Sequence, residues 1–169
     1  MNVVETPRLI LRRLHAGDAA FILELVNEPS WLRFIGDRNV HSIEDAEGYI
    51  AKGPVDSYAK NGFGLYLVEV KEDAAPAGMC GLIRRDTLPH VDIGFAFSPR
   101  FWGRGYAYEA AAGVMDHARN GLGLDTVLAI VNPDNERSKS LLGKLGMRFE
   151  RKMRMPNEES DVDVFTSAS

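Results

Sequence analysis

The sequence predicts an α+β fold, one domain over residues 1–169, built on a mixed and largely antiparallel sheet with flanking helices. Three observations carry this. Residues 64–97 hold three strand-like runs whose connections are too short for anything but an antiparallel meander. Helical stripes flank that β block on both sides in sequence. An apolar run over 91–97 leads straight into a glycine turn and an alanine-rich amphipathic stretch.

Taken in order, residues 8–14 (Arg-Leu-Ile-Leu-Arg-Arg-Leu) alternate loosely and read as a strand with one solvated face. Gly17-Asp18 offer a helix start, and Phe21, Ile22, Leu25 and Val26 form an apolar helical stripe that Pro29 is expected to stop. Residues 30–38 are expected to be a loop carrying Trp31, Leu32, Phe34 and Ile35. Ser42, with Asp45 three positions on, caps a second helix through Ala46, Tyr49 and Ile50, and Gly53-Pro54 breaks or kinks it. Strands follow over 65–70, 78–84 and 90–97, then a helix over 106–119 that Gly121 and Gly123 end. A strand over 126–131, a helix over 135–145 and a strand pair around 149–155 and 162–166 complete the chain.

Composition narrows the function. A net charge of −4 gives no reason to expect nucleic-acid or membrane-surface binding. No stretch of about 18 apolar residues and no signal-peptide pattern is present, so the expected compartment is the cytoplasm. One cysteine, Cys80, excludes an internal disulfide and a thiolate zinc cluster, and its neighbours Met79, Gly81, Leu82 and Ile83 mark it as a buried strand thiol. The four histidines show no metal-site spacing, so no metal is expected.

The most informative stretch runs Ser98-Pro99-Arg100-Phe101-Trp102-Gly103-Arg104-Gly105-Tyr106-Ala107-Tyr108-Glu109-Ala110. Strand, glycine turn and helix start, in that order, present backbone N–H groups at the positive end of a helix, which suits a phosphate or pyrophosphate. Glycines let the backbone approach the anion, and Arg104 adds charge. A Walker loop would need Lys-Ser or Lys-Thr here, and none follows. A dinucleotide fingerprint needs Gly or Ala where Tyr108 stands and an acidic residue closing the next strand, whereas Asp125 opens it.

The thirteen-residue string resembles the coenzyme-A pyrophosphate loop of the GNAT acyltransferases, in the branch typified by ribosomal-protein N-terminal acetyltransferases of RimJ/RimL type. The family loop fits in two registers, starting at Arg100 or at Trp102. The second keeps the usual spacing from the strand end at Phe97 and is preferred. The resemblance covers almost the whole chain, from Glu5-Thr6-Pro7-Arg8 onward. A second block, Asn135-Glu136-Arg137-Ser138-Lys139-Ser140-Leu141-Leu142-Gly143-Lys144-Leu145-Gly146, reads locally as a capped helix with a glycine stop. It also matches the family's Asn-x-x-Ser-x-x-Leu-Leu-x-Lys-Leu-Gly pattern.

The resemblance implies acetyl transfer from acetyl-CoA, the co-substrate, to a primary amine by direct attack in a ternary complex. It implies a sheet whose central strands splay where they end at Phe97 and Val131, leaving backbone groups of Phe95, Ala96 and Phe97 for the pantetheine arm. Cofactor contacts are assigned to Trp102, Gly103, Arg104, Gly105, Tyr106, Ala107 and Tyr108, with Asn135 on the pantetheine arm and Ser138 near the thiol. Proton transfer from the amine needs a base, worth roughly 10²–10⁴ in rate. Asp92 is the first candidate, with His90 and Glu69 behind it, and a salt-bridged strand carboxylate is the competing reading. Many relatives carry a Tyr acid seven residues after the Asn. Leu142 stands there, so Ser138 is the substitute. Trp31 and Phe34 either wall the acceptor pocket or seal the core. The acceptor is a small-molecule or peptide amine, and the protein is expected to be a monomer or homodimer. A catalytically silent acyl-CoA-binding regulatory module is the rival, since the Tyr is missing and no base is certain.

Overall fold

The computed structural model describes residues 2–168, and the two end residues of the expected domain, Met1 and Ser169, lie outside the described residues. Eight strands form one sheet: β1 (Asn2–Glu5), β2 (Leu9–Arg13), β3 (Leu65–Val70), β4 (Ala75–Ile83), β5 (Asp92–Phe97), β6 (Leu128–Val131), β7 (Arg148–Arg154) and β8 (Asp161–Thr166). Their spatial order is β1-β2-β3-β4-β5-β6-β8-β7. Every neighbouring pair is antiparallel except β5 and β6, which are parallel. The expected meander is β3-β4-β5.

The helices are α1 (Ala19–Leu25), α2 (Pro29–Phe34), α3 (Ile43–Ile50), α4 (Asp56–Asn61), α5 (Tyr106–Asp116) and α6 (Glu136–Lys144). No helix among the described residues is long and apolar enough to cross a membrane. Ser42 caps α3 by accepting from the Asp45 N–H at 3.0 Å, as its spacing predicts. One expectation needs correction and another is narrowed. Pro29 does not end a helix and leave a loop: it occupies the first turn of α2, where its missing N–H costs nothing and its fixed φ suits helix entry. Of the two outcomes expected at Gly53-Pro54, a break or a kink, the break does not occur. Residues 51–55 form a wide π-type turn that absorbs the proline and carries the backbone into α4.

Strand alternation divides the core between the two faces of the sheet. Tyr66 and Val68 of β3 and Val91, Ile93 and Phe97 at β5 pack with Ala110, Val114 and Met115 on one face. Leu67 and Met79 face the other way, onto Ile22, Leu25, Trp31 and Ile50. A sheet buried on both faces explains why β3 and β4 read as nearly continuous apolar runs.

This topology creates an opening. β5 and β6 share one register pair, Asp92 with Leu128, closed by the Leu128 N–H donating to the Val91 carbonyl at 2.9 Å. β5 continues for five more residues, about 17 Å of strand, while β6 turns to β8 for its ladder. Beyond Asp92 the two strands therefore present facing edges that no strand among the described residues pairs.

Candidate active site

After Phe97 the chain makes a short 3₁₀ turn, Pro99–Phe101, which buries the Phe101 ring. Gly103 and Gly105 then adopt left-handed conformations, with φ of 78° and 81°. An L side chain at either position would cost about 1–2 kcal/mol. Gly105 is the N-cap of α5 and supplies no side-chain cap. Consequently none of the N–H groups from Gly103 to Tyr108 has a hydrogen-bond partner among the described residues. Helix geometry explains the first-turn donors, and the two left-handed glycines extend the row backward into the loop.

A cavity of about 520 Å³ opens in front of this row. Its walls bring together nearly all the residues that the sequence singled out: Phe95, Ala96 and Phe97 at the end of β5, then Trp102, Gly103, Gly105, Tyr106, Ala107 and Tyr108, and Asn135 and Ser138 across from them. Trp31 and Phe34 also line it, so Trp31, though only 6% exposed, both packs in the core and bounds the cavity. Arg104 is the exception in the loop. Its guanidinium lies 5.7 Å from the Phe101 ring centre and it does not line the cavity.

Asn135 caps α6 by accepting from the Ser138 N–H at 3.1 Å through Oδ1, which fixes its side chain and leaves the amide NH₂ without a partner among the described residues. Trp102 is fixed from two sides. Its indole N–H donates to the Phe97 carbonyl at 2.9 Å, and the Arg137 guanidinium stacks 4.2 Å from its ring centre. One carbonyl of the β5 end is thus already engaged within the chain. Leu142, which stands where many relatives have Tyr, is buried in the core and does not line the cavity. The α6 face toward the cavity carries Arg137, Ser138, Leu141 and Lys144 instead.

The proposed bases lie elsewhere. Asp92 is 1% exposed, at the closed end of the wedge, with Oδ1 accepting from Arg85 Nε at 3.0 Å. Burial pushes its carboxyl up to about 6, against the opposing pull of the Arg85 charge. It shares a strand face with Ala96 but sits four residues back, about 13 Å along the strand, and does not line the cavity. Glu69 is held by Arg12 at 2.9 Å on β3, and His90 precedes β5; neither lines the cavity. Cys80 is fully buried, and burial raises its thiol pKa far from any nucleophilic range.

Sequence reading missed Glu28, Arg137 and Lys144, all on the cavity wall. Helical spacing holds the signal for the last two, since 137, 141 and 144 lie on one face of α6. The charges divide the cavity. Arg137, Lys144 and the unpaired N–H row mark the α5–α6 end, whereas Glu28 accompanies Leu25, Trp31, Phe34 and Ile35 at the α1–α2 end. Glu28 takes no ion pair among the described residues. An anion-bearing ligand fits the first end, and a cationic or amine group fits the second.

A row of unpaired N–H donors beside an opened parallel strand pair suits an anionic ligand with an extended arm, and the comparisons give the class of the chain. Residues 8–148 match the acetyltransferase (GNAT) domain family. The chain is 31% identical to the uncharacterized N-acetyltransferase YoaA of Bacillus subtilis (strain 168) over 154 residues, 90% of this chain and 86% of that protein. Its fold superposes on an acetyltransferase from Agrobacterium tumefaciens with a TM-score of 0.83 at 22% identity, covering 100% of this chain and 95% of that one. It is equally similar to RimL, a ribosomal-protein acetyltransferase solved in complex with coenzyme A. There the TM-score is 0.83 at 16% identity, over 98% and 97% of the two chains. The chain belongs to the GNAT acetyltransferase family and is an N-acetyltransferase, of a family that uses acetyl-CoA. None of these comparisons favours a silent regulatory module.

Proposed function

We propose that the chain works as one acetyltransferase domain that binds acetyl-CoA along this cavity and passes the acetyl group to a primary amine entering from the α1–α2 side. The carrying observation is the unpartnered N–H row from Gly103 to Tyr108, facing a cavity that runs along the unpaired end of β5. Those donors would hold the pyrophosphate, with Arg137 and Lys144 adding charge. The free β5 edge at Phe95 and Ala96 and the Asn135 amide would take the pantetheine amides. Bound there, acetyl-CoA supplies an activated acyl thioester. Glu28 and the apolar wall of Trp31 and Phe34 would draw in and seat the amine.

Asp92 is the base we favour. A carboxyl held near 6 is largely ionised at neutral pH yet basic enough to accept a proton. Its distance from Ala96 means that an amine at the strand end reaches it through water and not by contact. Ser138, on the cavity wall, would donate a hydrogen bond to the departing sulfur. The acceptor is a peptide N-terminus or a small-molecule amine. Structural neighbours include enzymes of both kinds, a ribosomal-protein-S5-alanine acetyltransferase and a spermidine N-acetyltransferase.

The test is a thermal-shift titration of wild type and Gly105→Glu with acetyl-CoA, CoA, ATP and NAD, followed by thiol release over an amine panel. Binding raises Tm by mass action. Stabilisation by the CoA species alone, abolished by the new carboxylate, and thiol release with some amine are expected. No response to either CoA species would overturn the reading.

A further inference from the structure

The loop that offers the N–H row is braced from behind by a residue nearly one hundred positions earlier. Arg8, just before β2, donates from Nη1 to the Arg104 carbonyl at 2.9 Å and from Nε to Glu109 Oε1 at 2.7 Å. Glu109 sits in the first turn of α5, and its other oxygen accepts from the Arg8 backbone N–H at 2.8 Å and from the Thr6 hydroxyl at 2.6 Å. The guanidinium also lies 4.6 Å from the centre of the Tyr106 ring. Burial alone would raise the Glu109 carboxyl, but the Thr6 and Arg8 hydrogen bonds hold it below its ordinary value, so the brace stays charged. Arg8 does not line the cavity. It faces a separate hollow bounded by Thr6, Ala112 and Gly113, and Gly105 is part of both walls.

That placement has a geometric consequence. No peptide bond among the described residues is cis, and in a trans peptide the carbonyl of one residue and the N–H of the next point in opposite directions. Drawing the Arg104 carbonyl back toward Arg8 therefore turns the Gly105 N–H away from Arg8, toward the cavity. A left-handed glycine is free to let this peptide plane flip, so the direction has to be held from outside.

We propose that Arg8 is a positioning residue for the cofactor: by holding the Arg104 carbonyl it aims the Gly105 N–H at the pyrophosphate. This rests on the acetyl-CoA reading of the cavity. The role needs the divided fork of an arginine, one arm on Glu109 and one on the Arg104 carbonyl. A lysine offers a single point and cannot span both.

Calorimetric titration of CoA and of 3′-dephospho-CoA into wild type, Arg8→Ala, Arg8→Lys and Thr6→Val tests this, with Tm measured for each. Arg8→Ala should weaken both ligands about tenfold, the worth of one well-directed hydrogen bond. Arg8→Lys should behave like Arg8→Ala although it keeps the charge. Thr6→Val removes a bond to Glu109 without touching the fork, so it should lower Tm and leave affinity within about twofold. Wild-type affinity in Arg8→Lys would overturn the proposal in favour of charge alone. A loss confined to CoA and absent with 3′-dephospho-CoA would assign Arg8 to the 3′-phosphate and overturn it too. Equal weakening by Thr6→Val would reduce the effect to general loosening. A wild type that binds neither ligand would instead remove the cofactor reading itself.

Discussion

Replacing Asp92 by Asn removes a carboxylate that the fold buries almost completely beside Arg85. Its carboxyl is pushed from 3.8 to about 6 in the native state, a rise of about 2 units, and each unit corresponds to about 1.4 kcal/mol. The folded chain therefore binds this proton more tightly than the unfolded chain. The resulting stability is fully present below the unfolded value of 3.8 and is lost as pH rises through about 6. Asn does not titrate, so Asp92→Asn gains on wild type across that window, with a ceiling of about 3 kcal/mol by the same conversion. Arg85, partly exposed, can turn its freed Nε to water. A chain of this length shifts Tm by about 2–4 °C per kcal/mol. Even half the ceiling should widen the Tm difference, variant minus wild type, by about 3–6 °C between pH 4.5 and 7.5 in calorimetric scans. A difference that stays constant or narrows with rising pH would refute the burial argument. The same variant should lose acetyl transfer at pH 7 while still binding CoA, if the carboxylate is the base; full activity would leave it a structural ion pair.

Other substitutions test the parts around it. Gly105→Ala places a Cβ at φ +81° and 3.3 Å from Arg8 Nη2, and should cost about 1–2 kcal/mol in urea titrations together with a measurable loss of CoA affinity. Asn135→Ala removes the α6 cap and should cost about 1 kcal/mol, read as a Tm drop of about 2–4 °C; no drop would mean the cap bond adds nothing. Trp102→Phe keeps a ring under Arg137 but loses the bond to the Phe97 carbonyl. It should cost about 1 kcal/mol in the same titrations, and an unchanged midpoint would show that water replaces the indole.

What the sequence made legible was mostly local. The β3-β4-β5 meander follows from short connections, and the Ser42 and Asn135 caps follow from residue type and spacing. The α5 loop follows from two glycines placed between an apolar run and an alanine-rich helix. The strand β1 escaped because four residues, none of them fully buried, pair with β2 only once both join a sheet edge. Pro29 escaped because proline carries two opposite meanings, helix stop and helix start, and the choice rests on whether the following turn can pack. Here Trp31 packs against Ile22 and Leu25 and decides it.

Long-range electrostatics was the part that local reading could not reach. Alternation puts Asp92 on the Ala96 face, but nothing along the strand says that Arg85 folds over from before β5 to meet it, or that β6 pairs beside it at Leu128. The same holds for Arg8. In sequence it is the charged first residue of an expected strand, and its partners are 96 and 101 positions away. In both cases a side chain acquires its chemical role from a charge delivered by the topology. An anion loop could be recognised from its own glycines, since a left-handed turn is a property of the residues in it. Which way its peptides face is set by what stands behind them, and for Gly105 that is the arginine just before β2, one strand in from the sheet edge.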